Sequence, residues 1–387
     1  MHLLSPGSLF RPLLALTLIT LLGGASACRG EVKSGDVIDS EEGKFRYEVV
    51  AEGLTQPWSM VKLPDGRLLV TEKKGDLRII QDGKLLEEKV QNVPKVRDAN
   101  QGGLLDLELH PDYAKNGWIY ISFSDPSEDG KTSHTRVIRA KLNGLALEDI
   151  QDIFKAPADQ YTGTAHHYGS RLEFDKDNYL YISIGERGDQ NKAQDLKYVQ
   201  GKVHRVKDDG AIPDDNPFVK TEGAIPSIWS LGHRNPQGLR FQPGTGKLWE
   251  TEHGPKGGDE LNVIRKGANY GWPLICWGVN YDGTPVSDKQ EAPGLEQPVT
   301  YWVPSIAPSG FDFYNGDKFP KWKGNIFVGA LAHQKLVRVV VDGETATHKE
   351  ILLEHTGRMR DVLCLDDGFL YIVYDNPGRI ARLVPVE

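Results

Sequence analysis

The chain has 387 residues, enough for one large domain or two ordinary ones. A formal net charge of −8 with no basic block argues against a nucleic-acid-binding protein, although it leaves room for a local basic pocket. Glycine at 42 residues and proline at 23 point to a chain with many turns.

Residues 1–27 read as a leader. His2 and Arg11 give a weakly positive start, Leu13 to Leu22 is apolar, and Gly23 to Ala27 is small. The apolar run is too short to span a membrane and suits an export signal. Cys28 follows the small residues directly, as at a bacterial lipoprotein cleavage site, although Ala25 stands three residues before it where leucine is commoner. The favoured reading is lipidation of Cys28 in a periplasmic or membrane-attached protein; the alternative is ordinary cleavage after Ala27. Residues 28–44 are polar and read as a tether. The other cysteines, Cys276 and Cys364, could pair in an exported protein, but sequence does not show whether they meet.

From residue 45 onward the chain carries an irregular repeat: an apolar alternating strand, a turn rich in Asp, Asn, Gly or Pro, and a second strand. Copies begin at Trp58, Leu104, Arg171, Gly238, Gly310 and Arg360. Six strand-rich copies with little helical periodicity predict an all-β, six-bladed β-propeller over residues 45–387. The strand Phe45 to Val50 would complete the last blade and close the ring.

Loops at one end of a propeller converge on its axis, so the residues just before each repeat are the candidate functional ones. They are Gln101 before the second copy, His166 and His167 before the third, Arg234 and Asn235 before the fourth, and Arg358 and Arg360 leading into the sixth. A ring of this composition suits an anionic ligand, because arginine forks match carboxylates. The segment Gly238 to Thr251 alternates about a central turn and reads as a β-hairpin. It would bring Arg234 and Asn235 beside the loop Gly254-Pro255-Lys256-Gly257-Gly258. Asp259 and Glu260 follow that loop, and hard cations bind such oxygens.

Three motifs stand in order here: Leu231 to Gly238 (LGHRNPQG), Glu252 to Pro255 (EHGP) with Asp259-Glu260, and Asn269 to Pro273 (NYGWP). Together they resemble the soluble quinoprotein sugar dehydrogenases of the glucose/sorbosone type, with the aldose sugar dehydrogenase branch nearest. The resemblance runs less densely from about Phe45 to the C-terminus and implies the same six-bladed propeller. It also implies oxidation of an aldose at the anomeric carbon, with His167 as base and pyrroloquinoline quinone (PQQ), a tricarboxylate, as hydride acceptor. His166 is the competing base. Arg234 would stabilise developing negative charge, with Gln101, Arg234, Asn235, Tyr281, Arg358 and Arg360 around the cofactor. One Ca²⁺ is implied on the carbonyls of Gly254 and Pro255, and a second, structural one on Glu260 and the carbonyl of Tyr270. Two departures stand out: Ser170 replaces a usual glycine, and Ala332 replaces a usual cofactor-contacting lysine, so that either Lys335 substitutes or the contact is lost. An aldose is the expected small-molecule partner, with an electron acceptor that sequence does not name. The competing readings are a propeller scaffold without catalysis and a calcium-dependent lactonase-like hydrolase.

Overall fold

In the computed structural model, residues 32–386 are described; the expected signal peptide and Cys28 lie outside them. Six antiparallel sheets follow one another along the chain. Blade one runs through Pro57–Lys62, Leu68–Glu72, Asp76–Gln81 and Lys84–Leu85, and blade two through Leu104–Leu109, Trp118–Pro126, Ser133–Asn143 and Ala146–Lys155. Blade three comprises Leu172–Phe174, Tyr179–Ile184, Lys202–Lys207 and Ile228–Leu231, and blade four Pro236–Phe241, Leu248–Glu252, Asp259–Ile264 and Thr300–Trp302. Blade five comprises Pro308–Phe313, Ile326–Ala330, Leu336–Asp342 and Thr345–Leu353, and blade six starts with Arg358–Cys364, Leu370–Asn376 and Arg379–Pro385. The first strand of each blade packs against the first strands of its neighbours in a closed circle, giving a six-bladed β-propeller.

Closure comes from the N-terminal side of the chain. Gly43–Glu52 pairs antiparallel with Arg379–Pro385, with Phe45 opposite Pro385 and Tyr47 opposite Leu383. Phe45 and Tyr47 are fully buried, each worth about 1.5–3 kcal/mol of apolar burial. Val37–Ser40 adds an outer fifth strand, so this sheet takes in residues assigned to the tether from sequence.

Each repeat recognised in the sequence is the inner hairpin of a blade. The hairpin expected over Gly238 to Thr251 is present, with Gly238 opposite Thr251. Inner strands are buried on both faces because neighbouring blades cover them. Leu68–Glu72 is buried at every position, and Val61, Leu69, Ile79, Leu104, Leu107 and Ile121 form one cluster between blades one and two. Residues 126–165, the long stretch between the second and third sequence repeats, contain the outer strands of blade two. Among the described residues no helix is long and apolar enough to cross a membrane. Cys276 and Cys364 are both free thiols.

Candidate active site and cofactor cavity

The loops that precede the inner strands surround a cavity of about 760 Å³ at one end of the axis. Gln101, Asn235, Arg358 and Arg360, four of the residues expected from sequence, line it together with Trp58, Lys73, Asn100, Gln237, His253, Ala332 and Asp375.

Arg358 and Arg360 alternate along the first strand of blade six and share one carboxylate. Arg358 Nε donates to Asp375 Oδ1 at 3.2 Å, and Arg360 Nη2 to Asp375 Oδ2 at 2.9 Å. Arg360 Nη1 also donates to Gln237 Oε1 at 3.0 Å, while its buried Nε has no partner. Asn235 uses its Oδ1 to accept from the Gly169 N–H at 3.2 Å, and its buried Nδ2 is likewise unpartnered. An unpaired buried donor costs about 1–3 kcal/mol, so the wall is built for a ligand that supplies acceptors.

His167 sits behind Gln101. Its N–H donates to Gln101 Oε1 at 2.7 Å, and its backbone takes a left-handed φ of 53°. The side chain is 14 % exposed, and Nδ1 lies 2.5 Å from Glu186 Oε1. Glu186 also accepts from the Gly188 N–H, and its own N–H donates to the Arg234 carbonyl at 2.9 Å. A proton on Nδ1 shared with Glu186 leaves Nε2 as the free, basic nitrogen. Burial, reinforced by the Arg234 charge, holds His167 below the usual histidine range, against the raising effect of Glu186. On Glu186 burial works upward, but the His167 hydrogen bond and charge and the Arg234 charge bring its pKa below the ordinary value. The pair at neutral pH is therefore a carboxylate and a neutral imidazole. His166, the competing base, is exposed, and its Nδ1 lies 3.2 Å from Asn100 Nδ2 with no carboxylate holding it.

Ser170, where a glycine was the usual residue, has φ 82°. Its hydroxyl bonds the Tyr168 carbonyl at 3.1 Å and lies 3.3 Å from Thr135 Oγ1, which holds a non-glycine residue in the left-handed region.

Arg234 does not line the large cavity. Its Nη1 donates to the carbonyls of His253 at 3.1 Å and Gly254 at 2.7 Å, and its N–H to Glu252 Oε2 at 2.6 Å. The Gly254 carbonyl expected on the cofactor-side cation thus already meets one cation, the guanidinium. A carbonyl oxygen has a second lone pair for a metal. Burial, reinforced by the charges of Arg234 and Arg360, holds His253, between the two regions, well below the usual histidine range.

The acidic pair divides its work. Asp259 clamps loops: its oxygens accept from the N–H groups of Gly254 at 2.9 Å, Ile306 at 2.7 Å and Ala307 at 2.9 Å, and from Ser305 Oγ. Glu260 instead faces a cavity of about 20 Å³, lined also by Glu252, Gly254, Gly258, Tyr270 and Cys276. That is room for about one water-sized sphere. Glu250, Glu252 and His233 cluster beside it with ligand atoms within 4.8 Å of one another, and neither Glu250 oxygen has a hydrogen-bond partner. Burial and then the Glu252 charge push Glu260 well up; Glu250 rises to about 7 through burial. Burial works against a charged His233, but Glu250 and Glu252 outweigh it and raise it to about 10. Burial that holds Glu260 and Glu250 toward their neutral forms leaves buried carboxyl oxygens short of a countercharge, which a divalent cation with oxygen ligands would supply. Tyr270 spends its hydroxyl on the Val263 carbonyl at 2.6 Å, leaving its backbone for such an ion.

Tyr281 and Lys335 both stand outside the cavity wall. Tyr281 is 75 % exposed on a polar hairpin and does not line the cavity, because Asn280 and Thr284 close a surface turn around it. Lys335 pairs with Glu354 at 2.9 Å and is absent from the cavity wall, which Ala332 joins instead.

Under the floor lies a hub that sequence reading did not identify. Arg171, 1 % exposed, donates Nη1 to Asp106 Oδ1 at 3.1 Å, Nη2 to the Arg360 carbonyl at 2.9 Å and Nε to the Gln237 carbonyl at 2.7 Å. Asp361 Oδ2 lies 3.0 Å from the same Nη1, and the Trp58 ring lies 4.2 Å from the guanidinium. One side chain thereby ties five blades together beneath the cavity.

A six-bladed propeller with a cationic axial cavity and a carboxylate-held histidine defines the class. Residues 54–382 match the model of the glucose / sorbosone dehydrogenase family, and the chain belongs to that family. It is 43 % identical over 345 residues to aldose sugar dehydrogenase YliI of Escherichia coli, covering 87 % of this chain and 92 % of that one. The apo structure of the soluble aldose sugar dehydrogenase from Escherichia coli superposes with a TM-score of 0.84 at 42 % identity, over 88 % of this chain and 100 % of that one. The PQQ-bound aldose sugar dehydrogenase from Streptomyces coelicolor gives 0.72 at 29 % identity, over 88 % and 98 %.

Proposed function

We propose that the protein is an exported quinoprotein that oxidises aldose sugars at the anomeric carbon, using PQQ and Ca²⁺. The observation that carries this reading is His167, oriented by Glu186 at 2.5 Å and bonded to Gln101, which lines the cavity together with Arg358, Arg360 and Asn235, whose buried Nδ2 is unpartnered. That wall fits a flat, acceptor-rich tricarboxylate. PQQ bound there would supply the two-electron acceptor for the hydride of the anomeric carbon. The Gly254 and Pro255 carbonyls would hold a Ca²⁺, which would supply Lewis acidity.

The chain's own residues do the rest. Arg358 and Arg360 grip carboxylates with donors left over from Asp375. Asn235 Nδ2 donates to a ligand oxygen. Arg234 holds the Gly254 carbonyl in place and brings positive charge to where negative charge develops. His167 Nε2 removes the anomeric hydroxyl proton, and the imidazolium so formed is stabilised by Glu186 before the proton passes to water. The axial carboxylates Asp106 and Asp361 are committed to Arg171, and Glu173 to Arg240 at 2.8 Å. This supports a dehydrogenase over a lactonase, which needs free carboxylates around an axial metal. The test is aldose-dependent dye reduction by purified protein: activity should require both PQQ and Ca²⁺, and a protein inert with both added would refute the assignment.

Glu260, Glu252 and Tyr270 would hold the second, structural Ca²⁺. Glu260→Ala should abolish the rise in melting temperature given by Ca²⁺, since a cation bound only to the folded state stabilises by mass action. An unchanged calcium-dependent shift would remove this site.

Export and lipidation rest on the leader and on Cys28. Cys28→Ser should move the protein from the membrane fraction to the soluble one. An N-terminal peptide without an acyl chain by mass spectrometry would end the lipoprotein reading.

A further inference from the structure

Among the residues lining the large cavity, the Lys, Arg and carboxylate side chains are Lys73, Arg358, Arg360 and Asp375. The wall therefore carries a net positive charge even after Asp375 is counted. Both arginines are bonded to that one aspartate. Lys73 is not. Its ammonium pairs with Asp98, which lies outside the cavity wall and is 36 % exposed, while the Lys73 side chain is only 16 % exposed. An ammonium has three donors and one carboxylate oxygen takes one of them, so Lys73 keeps bonding capacity toward the cavity.

The backbone at this position is fixed. The Lys73 N–H donates to the Gln56 carbonyl at 3.0 Å, and its carbonyl accepts from the Leu104 N–H at 2.9 Å. Gly103 lies so close that a Cβ there would fall 2.6 Å from Lys73 Cγ, closer than real Cβ contacts come. The absence of a side chain at 103 lets the Lys73 stem pass beside the Gln101 loop. Blade one thus contributes a cation to the same wall as the blade-six arginines, and position 332 in that wall offers only a methyl group.

We propose that Lys73 is the third cation of the cavity wall and binds the anionic cofactor together with Arg358 and Arg360. This rests on the PQQ reading above. Lys73 is a binding residue; it carries no proton in the reaction.

The experiment is direct PQQ titration of the full-length apoprotein with Ca²⁺ present, read by quenching of tryptophan fluorescence, for wild type, Lys73→Met, Lys73→Arg and Asp98→Asn. Lys73→Met should raise Kd roughly tenfold or more, the loss of one charged hydrogen bond. Lys73→Arg should stay within a few fold of wild type, and Asp98→Asn should bind as tightly or more tightly. Wild-type affinity in Lys73→Met overturns the proposal. So does an Asp98→Asn loss as large as that of Lys73→Met, which would make the pair a loop clamp, or a Lys73→Arg loss as large, which would make shape the determinant. If the wild type itself does not bind PQQ, the functional reading fails and Lys73 falls with it.

Discussion

His167→Gln is expected to lower turnover by about 10²–10⁴-fold while leaving PQQ affinity close to wild type. Removal of the base stops proton transfer, whereas Asn235, Arg358 and Arg360 still line the cavity. His166→Gln should cost far less, because His166 is exposed and has no carboxylate to orient it. Glu186→Gln sharpens the assignment. Glu186 raises the His167 pKa by its hydrogen bond and charge, while burial and Arg234 lower it. The base works only when neutral, so the acid limb of kcat/KM should lie below the ordinary histidine value of about 6.5. Loss of Glu186 should move that limb to still lower pH, and reduce turnover because the imidazole tautomer is no longer fixed. A limb unmoved in Glu186→Gln, or full turnover in His167→Gln, would displace the catalytic role from this pair.

The second large effect is expected at Arg171. Arg171→Met leaves Asp106 and Asp361 as uncompensated charges in a dry interior, at a cost of about 3–5 kcal/mol. It also frees the Arg360 and Gln237 carbonyls, so the cofactor grip above should loosen. The variant should therefore show a lower melting temperature and a higher Kd for PQQ. In an Arg360→Ala background the added loss of PQQ affinity from Arg171→Met should shrink, since both act through one contact. A melting temperature within a degree or two of wild type would show that the axial hub bears little of the stability.

The propeller was legible because inner hairpins repeat an alternating apolar pattern, and six copies leave little choice of architecture. The outer strands were not. Ser133–Asn143 and Ala146–Lys155 sit in a stretch that looked like an insertion, since edge strands alternate weakly; Ala146–Lys155 has its middle exposed. Site residues emerged where motifs are dense: Gln101, Asn235, Arg358 and Arg360 converge as expected. Residues that act by holding others were harder to see. Glu186 lies in the Gly185-Glu186-Arg187-Gly188 run just after the strand Tyr179–Ile184, and only the fold brings it to His167, 19 positions away. In the sequence Arg171 only opens the third repeat copy, and its partners Asp106 and Asp361 come from other blades. Tyr281 stands outside the wall: a motif fixes chain position, whereas exposure follows from a turn that Asn280 and Thr284 close locally. Lys73 has no local signal at all; its significance comes from the charge balance of a wall assembled from several blades.

The most direct test of the account is an anaerobic half-reaction with no dye present. Protein loaded with PQQ and Ca²⁺ is mixed with excess aldose, and the cofactor spectrum and sugar product are followed together. The account predicts that about one equivalent of PQQ is reduced per protein chain, with one equivalent of lactone formed and no further turnover until an acceptor is added. Bound PQQ that stays oxidised in the presence of a panel of aldoses, with no lactone appearing, would contradict it.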